Sequence, residues 1–276
     1  MNVQGWGLQD AQFNRGPSEP AYYESPAHDE ALSRLLFIIE QQRQCGLLFG
    51  PPGAGKSMLL ERLTRIVKRS QRELIVVDAH GQSHEELLWE MCGAMGLSPH
   101  YGDSTFVLWR RVLDHLLAAR GFEFPSVMLI DHADQGGEDC AAIIPRLLHL
   151  ARQNRGLTLI LAMRARHISE LPETVRESSD IRVELGWLDR RQTGRFVHTL
   201  FGSVGDAGTH FPEAAIDRLY TLSQGSPRLL SQLCELSLLA TLSDDKDSVS
   251  TDMVEMAADD LQFGNSGRQA RASVRN

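Results

Sequence analysis

Residues 45–60 read CGLLFGPPGAGKSMLL, and the order of residue types in this stretch decides the fold. Gly50-Pro51-Pro52-Gly53-Ala54-Gly55-Lys56-Ser57 is a full match to G-x-x-x-x-G-K-[ST]. The flanks give the match its weight. Ahead of it lies an apolar run of strand length, from Gly46 to Phe49. Behind it, Met58, Leu59, Leu60 and Leu63 open a helix-spaced apolar face. In a strand, glycine loop and helix, the glycines let successive backbone N–H groups turn inward around a phosphate, because no Cβ blocks them. The helix N-terminus turns its partial positive charge on the same anion. A lysine in the position of Lys56 reaches the β- and γ-phosphates, and a hydroxyl in the position of Ser57 ligates Mg²⁺. The candidate nucleotide-binding residues are therefore Gly50, Pro52, Gly53, Ala54, Gly55, Lys56, Ser57 and Met58. The bland alternative, a glycine-rich turn ahead of a helix, does not account for both flanks. The expected ligand is a nucleoside triphosphate with Mg²⁺.

With 276 residues the chain is long enough for one domain and a small appendage. A net charge of −8 argues mildly against a general nucleic-acid binder, although local basic patches survive such averaging. The longest apolar runs, such as residues 35–39, are far too short to cross a bilayer. The start, MNVQGWGLQD, lacks the basic and apolar regions of a secretory signal. Cys45, Cys92, Cys140 and Cys234 show no metal-ligand spacing and are expected to be reduced and packed. Together these features lead to the expectation of a cytoplasmic protein.

Residues 1–26, rich in Gly, Pro and aromatics, read as an extended arm packed on the body. A helix is expected from Ala27, with Leu32, Leu35, Leu36 and Ile39 on one face. After the phosphate loop and its helix, residues 73–79 (ELIVVDA) read as a buried strand. Ser83 with Glu86 forms a capping box for the next helix. A further helix carries Phe106, Trp109, Val112, Leu113, Leu116 and Leu117, all expected in the core. Residues 126–131 (SVMLID) form a strand. A helix over residues 138–154 is expected to kink at Pro145. Residues 157–163 (LTLILAM) and 180–185 complete the strands. Strands that are continuous apolar runs, alternating with helices, indicate a parallel sheet covered on both faces. From Gly186 the pattern is helical only: Asp189 and Gln192 form a capping pair, and Pro212 and Ser226-Pro227 start further helices. A last helix spans residues 250–261. The organisation read from this pattern is an arm (1–26), an α/β core (27–185), a helical unit (186–262) and a tail (263–276) expected to be disordered.

An ATP site needs a carboxylate at the end of a neighbouring strand, and Asp131 supplies it after Val127-Met128-Leu129-Ile130. Ser57 and Asp131 are the candidate Mg²⁺ ligands. His80 and His84 lie at i and i+4, but with no third ligand nearby in sequence they read as loop and cap residues.

The order of phosphate loop, carboxylate strand, further strand and all-helical segment resembles an AAA+ ATPase. More narrowly, the chain resembles the ATPase module of general secretion pathway protein A, the ExeA family. The matching stretches are residues 22–35 (YYESPAHDEALSRL), 47–63 (LLFGPPGAGKSMLLERL), 225–240 (GSPRLLSQLCELSLLA) and 250–261 (STDMVEMAADDL). The resemblance implies a five-stranded parallel P-loop NTPase sheet with helices on both faces, a small all-helical lid, and ATP between them. It implies that Arg228 touches the γ-phosphate from the lid. It also implies an arginine finger acting in a neighbouring subunit, which maps near Arg176, with Arg182 as a competitor. ATP-dependent homo-oligomerisation follows from that role.

The chain departs from the family in three places. Arg164 stands where a polar sensor residue is expected. The family's Asp-Glu, whose Glu activates the attacking water, reads Asp131-His132 here, and Asp134 is the nearest substitute carboxylate. Slow hydrolysis is the expectation, because the reach and charge of imidazole differ from those of a carboxylate. Longer family members continue into a membrane span and a peptidoglycan-binding region; this chain has neither, so a stand-alone form with an unknown, secretion-related protein partner is expected.

Two alternatives stay open. One is a nucleotide-dependent binding switch with negligible hydrolysis. The other is a DNA-transaction helper similar to transposition ATPases, for which Arg62, Arg65, Lys68, Arg69 and Arg72, with Arg268, Arg271 and Arg275, supply basic charge. The acidic total weighs against DNA. A small-molecule phosphoryl-transfer enzyme is disfavoured by the lack of a substrate-pocket signature in the helical segment.

Overall fold

A computed structural model describes residues 25–118, 125–137, 142–153, 156–164, 173–201 and 210–261. The expectations for residues 1–24 of the arm and for the tail, for Cys140, and for Arg268, Arg271 and Arg275 lie outside these residues. The chain divides into two compact units, Pro26–Gly186 and a second that includes residues 187–261.

The first unit is built on five parallel strands: β1 (Cys45–Phe49), β2 (Glu73–Asp78), β3 (Ser126–Asp131), β4 (Leu157–Met163) and β5 (Ile181–Glu184). Their order is β2-β3-β4-β1-β5. β1 and β4 are buried at every position, as continuous apolar runs require when helices cover both faces of a sheet. α1 (Pro26–Glu40) buries Leu32, Leu35, Ile38 and Ile39, whereas Leu36 is only half-buried. α2 (Lys56–Val67) buries Leu59, Leu60 and Leu63. At the start of α3 (His84–Ala94), the Ser83 hydroxyl accepts from Glu86 N–H and the Glu86 carboxylate accepts from Ser83 N–H.

One expectation is corrected here. α4 (Thr105–Ala118) buries Leu108, Val112 and Leu116, while Phe106 is 75% exposed. The core stripe therefore runs through Leu108, with Trp109, Leu113 and Leu117 at its margin. Trp109 is covered from outside by the Arg146 guanidinium, 5.3 Å above its ring. In α5 (Ile143–Gln153), Pro145 is the third residue of the helix. There its missing N–H would have had no intrahelical partner, so proline is accommodated at this position; residues 138–141 and 154 of the expected helix lie outside the described residues. α6 (Glu173–Ser178) precedes β5.

The second unit is helical: α7 (Arg190–Phe201), α8 (Glu213–Ser223), α9 (Pro227–Ser243) and a helix over residues 251–261. Asp189 and Gln192 cap α7 reciprocally, at 2.9 and 2.7 Å. Arg190 joins α7 to α8 by ion pairs with Glu213 and Asp217. Phe196, Phe211, Ile216, Leu230, Leu233 and Val254 belong to the core of this unit. The turn into α9 is held by Gly225, whose φ of 79° suits glycine. Its carbonyl accepts from Leu188 N–H at 2.9 Å, and a Cβ at this position would meet the Leu188 oxygen at 1.9 Å.

Candidate nucleotide site

The carboxyl ends of β1, β3 and β4 bring the phosphate loop, Asp131, His132 and Arg164 to one edge of the sheet, where open α/β folds bind ligands. The loop begins at Gly50, which packs so tightly on the residue after β5 that a Cβ would lie 2.1 Å from the Leu185 oxygen. Gly53 and Gly55 have φ of 76° and 95°, in the left-handed region that glycine enters without steric cost. Gly55 caps α2 without a side chain, so the first-turn N–H groups of that helix have neither a capping side chain at Gly55 nor intrahelical acceptors. Such an array suits a phosphate.

Lys56 is 8% exposed. Its ammonium donates to the carbonyls of Gly50 at 2.8 Å and Pro51 at 2.9 Å. Burial lowers its pKa; the charges of Asp131 and Asp134 oppose this, and Arg164 reinforces it. Lys56, Asp131, Asp134 and Arg164 thus share one electrostatic neighbourhood. Ser57 is exposed at the second position of α2, and Met58 is half-buried. A serine hydroxyl at this loop and the Asp131 carboxylate are hard oxygen donors of the kind Mg²⁺ takes alongside phosphate oxygens. Among the described residues, no group of three or more His, Cys, Asp or Glu side chains is placed to hold a metal alone, so His80 and His84 form no such centre.

Asp131 ends β3 and is register partner to Asp78 of β2. Its Oδ1 accepts from the His132 N–H at 2.8 Å. His132 has φ of 50°, a conformation that costs a non-glycine residue roughly 1–2 kcal/mol. Its Nδ1 lies 2.8 Å from Asp78 Oδ1. The ring lies 5.2 Å from that of His80, whose Nδ1 is 2.8 Å from Gln135 Oε1. Asp134 forms an ion pair with Arg164 at 3.2 Å. Arg164, expected at the sensor position, is thus engaged by the carboxylate expected as the nearest substitute.

Of the two finger candidates, Arg182 is committed within its own unit. It donates to Ser179 Oγ at 2.8 Å and to the Arg176 carbonyl at 2.6 Å. Arg176 is half-buried on α6. Arg228 is exposed in the first turn of α9, in the other unit. In the basic stretch of α2, Arg65 pairs with Glu61 at 2.7 Å.

Sequence reasoning missed His28. It lies on α1, 2% exposed, with Nε2 3.1 Å from the Ala54 carbonyl oxygen. A Cβ on Gly55 would come 2.7 Å from that nitrogen. A histidine among the apolar positions of α1 was the available signal, but its partner is 26 residues away.

Comparison with known proteins follows the same lines. Residues 39–171 match the model of a family described as an AAA domain. General secretion pathway protein A of Aeromonas hydrophila is 23% identical over 248 residues, covering 88% of this chain. The match spans 45% of that protein's length. Among solved structures, Cdc6p from Pyrobaculum aerophilum superposes with a TM-score of 0.72 at 14% identity, covering 88% of this chain and 69% of its own. Aeropyrum pernix Orc1, solved in complex with DNA, gives 0.67 at 16% identity, covering 86% and 66%. The RuvB Holliday junction branch migration motor of Thermotoga maritima gives 0.54 at 17% identity, covering 86% and 70%. At these identities the structural likenesses establish the fold alone. The chain thus has a P-loop AAA+ fold, matches an AAA domain over residues 39–171, and resembles general secretion pathway protein A.

Proposed function

We propose that this protein binds Mg-ATP on residues 50–58 and hydrolyses it slowly, using the cycle as a conformational switch. The observation that carries the reading is the phosphate loop itself. Buried Lys56 is tied to the loop carbonyls, the left-handed glycines sit beside an α2 start that Gly55 leaves without a side-chain cap, and Asp131 lies in the same electrostatic neighbourhood. Lys56 neutralises phosphate charge, and Ser57 and Asp131 hold the metal, which when bound screens the phosphate oxygens. Arg228 and Arg176 take, by resemblance, the γ-phosphate contact and the trans-acting finger. ATP-dependent self-association accompanies the latter role.

The reading as a switch with little turnover draws support from His132, whose imidazole is engaged by Asp78. A DNA-transaction role is not favoured, given the net charge of −8 and the pairing of Arg65. A secretion-related protein partner rests on resemblance to a protein of which the match spans 45%. We place the protein in the cytoplasm, with support from buried free Cys45, Cys92 and Cys234. Among the described residues no helix is long and apolar enough to cross a membrane.

Phosphate release measured under single-turnover and steady-state conditions tests the proposal. Slow, Mg²⁺-dependent release that Asp131→Asn abolishes is expected. Binding without measurable release selects the non-hydrolysing switch, and absence of binding removes both.

A further inference from the structure

The contact between α1 and the phosphate loop has a consequence for nucleotide binding. A carbonyl oxygen only accepts, so His28 Nε2 carries the proton and donates to Ala54 across 3.1 Å. Ala54 is fully buried, and a buried carbonyl that loses a partner carries a desolvation cost. We propose that His28 is a positioning residue of the phosphate loop: it holds the peptide between Ala54 and Gly55 in the orientation that presents the Gly55 N–H to a bound phosphate. This rests on the reading of the loop as a nucleotide site.

The argument is geometric. A trans peptide is planar, and its C=O and N–H point in opposite directions. With the Ala54 oxygen fixed on the His28 ring, the Gly55 N–H faces the other side of the loop. The same ring restricts residue 55 to glycine, since a Cβ there would lie 2.7 Å from Nε2 at a φ of 95°. Burial lowers the His28 pKa against the opposing influence of the Ala54 bond and Asp29. The lowered value favours the neutral ring, and the contact with the Ala54 oxygen places its one proton on Nε2.

Wild type, His28→Phe and His28→Gln are to be compared for binding of ATP, ADP and tripolyphosphate, with circular dichroism and thermal unfolding as folding controls. Phenylalanine keeps the ring and removes the donor; the glutamine amide can donate to the same carbonyl. The expected result is a weakening of all three ligands by about tenfold or more in His28→Phe, largely rescued in His28→Gln. Tight binding by wild type that His28→Phe retains overturns the inference while leaving the nucleotide site intact. Equal loss in both variants, tracking a lowered unfolding midpoint, also overturns it. No binding by wild type overturns the reading of the loop and the inference with it.

Discussion

His132 Nδ1 lies 2.8 Å from Asp78 Oδ1, a contact made toward β2, whereas β4 and β1 lie on the other side of β3. Asp78 and Asp131 are register partners on adjacent strands, so the residue after the metal-binding candidate is anchored on the side away from the phosphate loop. A group held there is poorly placed to activate a water at the γ-phosphate. His132→Glu is therefore expected to raise steady-state phosphate release, by less than the roughly 10²–10⁴-fold a well-placed base contributes, because the loop is shaped around imidazole. Unchanged turnover in both His132→Glu and His132→Ala would remove His132 from the reaction and turn attention to Asp134, now paired with Arg164.

His28 also gives a pH signature. Burial depresses its pKa in the folded protein, so the unfolded chain takes up the proton first as pH falls. The stability contributed by the neutral buried ring is full above the unfolded-state imidazole range and is lost as pH falls below that range and through the lowered folded-state value. Denaturation midpoints of wild type should fall over that window relative to His28→Gln. Parallel pH profiles for the two proteins would show that His28 titrates alike folded and unfolded.

Gly225→Ala tests the helical unit. The added Cβ would meet the Leu188 backbone oxygen at 1.9 Å, at a φ of 79°, so the 188–225 hydrogen bond must break or shift. Destabilisation of about 2 kcal/mol or more is expected, read from chemical denaturation. A variant within about 0.5 kcal/mol of wild type would show that the turn relaxes freely.

Much of the fold was legible because a parallel strand covered on both faces leaves a simple trace: an unbroken apolar run such as LLF after Gly46 or VMLI before Asp131. Caps at Ser83 and Asp189 were legible because their partners lie three residues away. Phe106 was misread because periodicity alone could not show that the buried face holding Val112 and Leu116 continues through Leu108 and not Phe106. Only packing between elements decides that. His28 and the Asp78–His132 contact were illegible for a related reason, their partners being 26 and 54 residues away.

The finger assignment yields a measurement of mass. Arg182 is held by Ser179 and by the Arg176 carbonyl, which leaves Arg176 as the candidate. Light scattering is expected to show self-association with Mg-ATP and not with ADP, and Arg176→Ala should slow release without weakening ATP binding. Trans-acting arginines contribute about 10³–10⁵ to rate in related chemistry, so a loss of at least tenfold is the minimum expected. A protein that stays monomeric with either nucleotide leaves Arg176 without that role.

The central claim is that Lys56 and its loop bind ATP, and an equilibrium titration of wild type and Lys56→Ala with Mg-ATP tests it most directly. Lys56 is the buried cation bonded to Gly50 and Pro51. Its loss removes charge-assisted contacts to two phosphates, each worth about 1.5–3 kcal/mol. The account predicts saturable binding by wild type, a loss of about 100-fold or more in Lys56→Ala, and unchanged circular dichroism. Equal affinity in the two proteins would contradict it.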